Sequence, residues 1–152
     1  MSARRQRIEK VVALRGKELD KRVVELSQQK SREEAARLAA EREREELLRA
    51  SESRMKLAEA PISANEWVEA NEWLRTREAQ AEIADTQAAK ARAGTERARA
   101  HVLHARTDLK KLEVLSTRIE TEERTHRDRA ERRLEDEIAA LRFAADRSRE
   151  SK

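Results

Sequence analysis

The sequence predicts an all-α protein in which two long helices form an antiparallel coiled-coil hairpin, the second helix longer than the first. Charged residues make up 43% of the chain and aromatic residues 2%, and 26 alanines account for much of its apolar content. That composition is typical of long helices and coiled coils rather than of a globular core. Only two glycines and one proline interrupt the 152 residues. An apolar period of three and four residues also runs through the second half, as a coiled coil requires.

The first helix is predicted over residues 3–59. This stretch contains no proline, and Gly16 alone disfavours the helix, by about 1 kcal/mol relative to alanine. Its contacting face is expected to carry the apolar residues Ile8, Val12, Leu19, Val23, Leu26, Ala35, Ala36, Leu38, Ala39, Leu48 and Met55.

A turn is predicted over residues 60–63, around the only proline, Pro61. Ser63 and Glu66 have the spacing of a capping box, in which the serine hydroxyl accepts a hydrogen bond from the glutamate N–H. Ile62 is placed to pack on Trp67 as a hydrophobic staple. These signals begin the second helix at residue 64.

The second helix is predicted over residues 64–148, because no proline interrupts it and its apolar period is regular. Steps of three and four from Trp67 to Ala130 give 19 positions, of which 14 are apolar. This period favours one contacting seam along the whole helix. Residues 1–152 are therefore expected to form a single coiled-coil hairpin.

The short turn also predicts the register: facing residue numbers should sum to about 124. Residues 35–40 then face residues 84–89, alanine against alanine, and Arg4 lies near Glu120. The second helix consequently extends past the first by about 25 residues, or about 40 Å. This extension carries Leu134, Ile138, Leu141 and Ala145 in a stripe that the first helix cannot cover. Such a stripe indicates self-association or a partner.

The composition argues against most chemical functions. The chain has no cysteine and no apolar run long enough for a membrane span or signal peptide. Two packed helices offer no pocket in which to desolvate catalytic carboxylates, so we predict no enzyme, catalytic residue, small-molecule substrate or cofactor. His101, His104 and Asp108 have the spacing of metal ligands, but Arg97 one turn earlier would repel a cation. We therefore predict no metal ligand.

The two tryptophans differ in their predicted roles. The segment Ala-Asn-Glu-Trp ends at Trp67 and again at Trp73, but six residues is not a helical repeat, so the rings point in different directions. Trp67 lies in the seam. Trp73 lies on its flank near the turn, where it either packs on that flank or contacts a partner.

Both ends of the chain resemble the FliJ family of bacterial flagellar export proteins and its relatives in injectisome secretion. Residues 4–15, RRQRIEKVVALR, are similar to the opening of that family. The segments LEVL at 112–115 and RRLEDEIA at 132–139 are similar to its closing part. The chain also matches the family in length and in its predicted hairpin, without indicating which of the two secretion systems it serves.

This resemblance implies a stalk-like protein at the cytoplasmic face of the inner membrane. It would contact the hexameric export ATPase, couple that ATPase to the membrane export gate, and escort export chaperones. The resemblance assigns ATPase contacts to Arg5, Arg7, Ile8, Leu134, Ile138 and Leu141. It assigns the gate contact, near the turn, to Trp73, although the later neighbours Arg77 and Gln80 do not continue an apolar patch.

Two other functions remain open from the sequence. One is a structural coiled-coil scaffold or spacer, which would dimerise through Leu134, Ile138 and Leu141. The other is a nucleic-acid-associated coiled coil, favoured by the arginines near both termini and a net charge of +4. Interleaved acidic residues and the lack of stacking aromatics argue against nucleic acid as a partner.

Overall fold

A computed structural model describes residues 2–151 as two helices joined by a short turn. Helix α1 spans Ala3–Ala58 and helix α2 spans Ala64–Glu150. No strand occurs among residues 2–151, and α2 has 87 residues where α1 has 56. The helices pack against each other as an antiparallel hairpin, which confirms the predicted fold class.

Tight backbone bonds end α1 immediately before the turn. The Glu59 N–H donates to the Lys56 carbonyl at 3.2 Å, and the Ala60 N–H donates to the Leu57 carbonyl at 3.4 Å. Such i to i+3 bonds tighten the last turn of a helix and satisfy its terminal carbonyls. As a result, α1 ends at Ala58, one residue before its predicted end.

Ser63 caps the start of α2. Its hydroxyl accepts a hydrogen bond from the Glu66 N–H at 3.2 Å, and its carbonyl accepts one from the Trp67 N–H at 3.2 Å. The side-chain bond satisfies a backbone donor that the first helical turn leaves free. The predicted N-cap is therefore confirmed, and α2 continues to Glu150, two residues beyond its predicted end.

The chain divides into two compact units. The turn unit is Glu18–Arg106, and the terminal unit combines Met1–Lys17 with Thr107–Lys152. That residues 1–152 fold as a single domain stays a prediction.

Small side chains fill the contact between the helices of the turn unit. Ala40 and Ala84, which the predicted register sets opposite each other, are both buried. The hydroxyl of Thr95, also buried, lies 3.2 Å from the Gln29 carbonyl across the seam, and this pair obeys the same register. The predicted register is thus confirmed in this unit. The other buried apolar residues of the unit are Ala50, Leu74, Ala81, Ala98 and Val102.

The predicted contacting face of α1 is partly wrong. Six residues that were expected to pack on α2 are exposed instead: Val23, Ala35, Leu38, Ala39, Leu48 and Met55. The half-buried positions of α1 instead include the polar or charged residues Arg22, Gln29, Glu33 and Glu43. A count of apolar residues misses this face because polar side chains occupy many of its contacting positions.

Ion pairs and one buried isoleucine join the helices of the terminal unit. Ile119, at a predicted seam position, is 2% exposed. The Arg5 guanidinium lies 3.2 Å from the Glu120 carboxylate, and that of Arg4 lies 4.0 Å from Glu122. These contacts confirm the predicted register at this end, where Arg4 was expected near Glu120.

Beyond Glu123, no residue of α2 is buried or half-buried. Every residue from 124 to 151 is exposed, whereas α1 begins at Ala3 beside the Glu120–Glu123 turn of α2. His126 and Ala130, predicted as the last seam positions, lie in this exposed stretch. The predicted C-terminal extension is confirmed, and we call residues 124–150 the C-terminal extension.

Candidate partner-binding surfaces

The C-terminal extension exposes a row of large apolar side chains. Leu134 is 58% exposed, Ile138 43% and Leu141 71%. Their spacing of four and three residues places them on one face of α2, which Ala145 continues. We call these four residues the C-terminal stripe. Burying each large member against a partner would stabilise the complex by roughly 1.5–3 kcal/mol.

Phe143 is an exposed apolar side chain of the C-terminal extension that the apolar period does not include. It is exposed and lies two residues after Leu141, so it points away from the C-terminal stripe. Its rarity could have indicated this position, because Phe143 is the only phenylalanine in the chain. The C-terminal extension therefore offers apolar groups on more than one side.

The α1 residues predicted to act with this stripe lie elsewhere in the terminal unit. Ile8 is half-buried, Arg7 is exposed, and Arg5 pairs with Glu9 at 3.5 Å as well as with Glu120. Glu120 precedes the first stripe residue by roughly 20 Å along α2. Arg5 and Ile8 therefore take part in the packing of α1 on α2. The C-terminal stripe does not pack on α1.

Each tryptophan of the turn unit lies under an arginine. The Arg54 guanidinium of α1 lies 5.5 Å from the ring centroid of Trp67, which is half-buried. The Arg77 guanidinium lies 4.5 Å from the ring centroid of Trp73, which is 55% exposed. These distances fit cation–π contacts. The predicted difference between a seam tryptophan and an exposed flank tryptophan is confirmed.

Arg77 occupies a seam position and reaches α1. Its Nη1 lies 3.5 Å from a Glu43 carboxylate oxygen, and its side chain is only 18% exposed. Its Nε is buried without a hydrogen-bond partner among residues 2–151. A charged arginine therefore lies beside Trp73, where an apolar patch would need an apolar side chain.

The histidines show no metal-binding geometry. His101 Nδ1 lies 3.5 Å from the Arg22 guanidinium, a cationic neighbour. Within residues 2–151, no three His, Cys, Asp or Glu side chains come together as a cation site. Over the same residues, neither helix has an uncharged apolar stretch of the length that crosses a bilayer.

Comparison with known proteins identifies one family. The family model described as "Flagellar FliJ protein" matches residues 4–148, nearly the whole chain. Comparison with curated proteins and with solved structures gave no significant match. Of the two alternatives, flagellar and injectisome secretion, the matching family is the flagellar one. The chain therefore belongs to the FliJ family, a non-enzymatic component of flagellar biogenesis and protein export.

Proposed function

We propose that this chain is a stalk-like coupling protein whose C-terminal stripe binds the hexameric export ATPase. The supporting observation is the exposure of Leu134, Ile138 and Leu141 on a helix that extends past the start of α1. An apolar stripe of this kind on a lone helix fits an apolar groove of a partner. The proposal also assigns ATPase contacts to Arg5, Arg7 and Ile8 of the same unit, which lie before the stripe; of these three, Arg7 is exposed.

The same proposal assigns two further partners. Trp73 contacts the membrane export gate, because its ring is large, exposed and held by Arg77, as an anchor residue requires. Export chaperones are the third class of partner. The chain would act in the cytoplasm, peripherally at the cytoplasmic face of the inner membrane, and by contact rather than by catalysis.

Site-specific photo-crosslinking tests the ATPase contact. A benzophenone amino acid replaces Leu141 in one sample and the exposed Ile83 of the turn unit in a matched control. We expect crosslinks to the export ATPase from position 141 and few from position 83. Equal crosslinking from both positions would reject the assignment of the stripe. Crosslinks from position 141 only between two copies of this chain would favour the dimeric scaffold instead.

A further inference from the structure

A second surface of the terminal unit lies on the opposite side of α2 from the seam. Residues three and four apart share a face of a helix, and this outward face points away from the seam residues Leu112 and Ile119. All of its members are exposed. We call it the outer face, and it consists of Lys110, Val114, Thr117, Arg118, Thr121 and Thr125.

Three threonines of the outer face have their hydroxyl groups bonded within α2. The Thr117 hydroxyl donates to the Glu113 carbonyl at 3.0 Å. The hydroxyls of Thr121 and Thr125 each donate to the carbonyl four residues earlier at 2.9 Å. Covering a polar side chain is costly when its donor loses its partner. Here the donors keep their partners, so a ligand can cover these side chains at little cost.

The outer face also has an apolar member and basic members, and neighbouring residues of both kinds lie beside them. Val114 is 51% exposed, and it lines a shallow hollow on α2 together with Leu115. Lys110, Lys111 and Arg118 surround this hollow, and none of them forms an ion pair within the part of the chain that the structure describes.

The charge of this face is unusual for the chain. The two charged members of the outer face, Lys110 and Arg118, are both basic. Glu113 lines a hollow beside them, and Glu122 lines another beside Thr121 and Thr125. An outward coiled-coil face normally carries charges of both signs. The outer face therefore has the apolar Val114 at its centre, and its own charged residues, Lys110 and Arg118, are both positive.

We propose that the outer face binds an acidic amphipathic helix of a partner protein. Apolar side chains of that helix, spaced three and four residues apart, cover Val114 and the threonines. Its carboxylates pair with Lys110, Lys111 and Arg118, whose charges have no ion-pair partner among residues 2–151. This surface is separate from the C-terminal stripe and from Trp73, so the inference does not depend on the proposed ATPase or gate contacts.

The test uses two designed peptides of about 16 residues, the length of helix that spans the outer face. Both carry leucines three and four residues apart, with glutamates at the remaining positions of one peptide and lysines in the other. Binding of each labelled peptide to the full chain is measured by fluorescence anisotropy. We expect the acidic peptide to bind and the basic peptide to bind at least about tenfold more weakly.

A pair of double variants locates the binding. Val114→Glu with Arg118→Glu changes the outer face, and Ile83→Glu with Lys90→Glu makes the same change of charge on exposed residues of the turn unit. The outer-face variant should weaken the acidic peptide at least about tenfold, and the control variant less than about twofold. Circular dichroism establishes that both variants keep their helix content.

A direct contact measurement is available because the chain has no cysteine. An environment-sensitive dye on Thr121→Cys should shift its emission to the blue when the acidic peptide binds, and the same dye on Ile83→Cys should not. Equal loss of binding in both double variants would overturn the proposal. Two other results would do so: equal binding of the two peptides, and no binding of the acidic peptide at concentrations on the order of 1 mM.

Discussion

The guanidinium of Arg77 lies 4.5 Å from the ring centroid of Trp73, one turn earlier on the same helix. Glu43 of α1 lies 3.5 Å from the same guanidinium. Arg77 therefore connects a carboxylate on α1 with an exposed aromatic ring on α2. This arrangement holds one face of Trp73 against the hairpin and leaves the rest of the ring for a partner.

Loss of the arginine should release the Trp73 ring. In a Trp67→Phe background Trp73 is the only tryptophan, so its fluorescence can be measured alone. We expect Arg77→Ala to increase quenching by acrylamide, since the lost cation–π contact is worth about 0.5–1 kcal/mol. Glu43→Gln should have a smaller effect in the same direction. Arg92→Ala, at an exposed position, is the control, and quenching unchanged in Arg77→Ala would contradict the contact.

Two isoleucines of the terminal unit should differ sharply in their contribution to stability. Ile119 is 2% exposed and Ile138 is 43% exposed on the same helix. Ile119→Ala should lower the free energy of unfolding by about 2–4 kcal/mol, because it removes buried methyl groups and leaves a cavity. Ile138→Ala should change it by less than about 0.5 kcal/mol. Urea unfolding followed by circular dichroism measures both, and equal losses would mean that the C-terminal stripe is covered.

Replacing either glycine by alanine should raise the free energy of unfolding, by different amounts. A Cβ on Gly16 would meet no atom within 4 Å, so Gly16→Ala should raise the free energy of unfolding by about 0.5–1 kcal/mol through helix propensity. A Cβ on Gly94 would lie 2.9 Å from the Gln29 side-chain oxygen, at the end of a flexible side chain. Gly94→Ala should therefore gain less than Gly16→Ala. A larger gain at Gly94 would show that the helices are not in close contact there.

Glu34 should titrate below the ordinary range of a glutamate. The Arg37 guanidinium donates to its carboxylate at 2.6 Å, and this hydrogen bond lowers the pKa of Glu34. Because the folded-state pKa is depressed, the contribution of this pair is present above the unfolded pKa and is lost as the pH falls through the folded value. Carbon NMR of the carboxyl group should show the shift, and Arg37→Gln should abolish it. A shift that persists in the variant would require another cause.

Much of the fold could be predicted because a few residues specify it strongly. Pro61 and the Ser63 cap fix the turn, and the turn fixes the register that Gln29 and Thr95 share. The regular period of α2 predicted Ile119 in the seam. The exposed extension then followed, since α1 has too few residues to cover it.

The rest depends on contacts that no single-helix pattern encodes. Half-buried positions of α1 include Arg22 and Glu43, whose long side chains pack their methylene groups while the charged ends reach polar partners. The positions of apolar residues alone therefore predicted contacts for exposed residues such as Leu48. The position of Arg77 over Trp73 likewise depends on α1.

ATP turnover by the export ATPase shows whether the C-terminal stripe acts on that enzyme. Turnover is measured while the ATPase is titrated with the wild-type chain and with Leu134→Asp combined with Leu141→Asp. The control combines Leu48→Asp with Ile83→Asp, two exposed residues of the turn unit. We predict stimulation by the wild type and the control, and loss of stimulation in the stripe variant with its helix content unchanged. Equal stimulation by the stripe variant, or none by the wild type, would mean that the C-terminal stripe does not act on the ATPase.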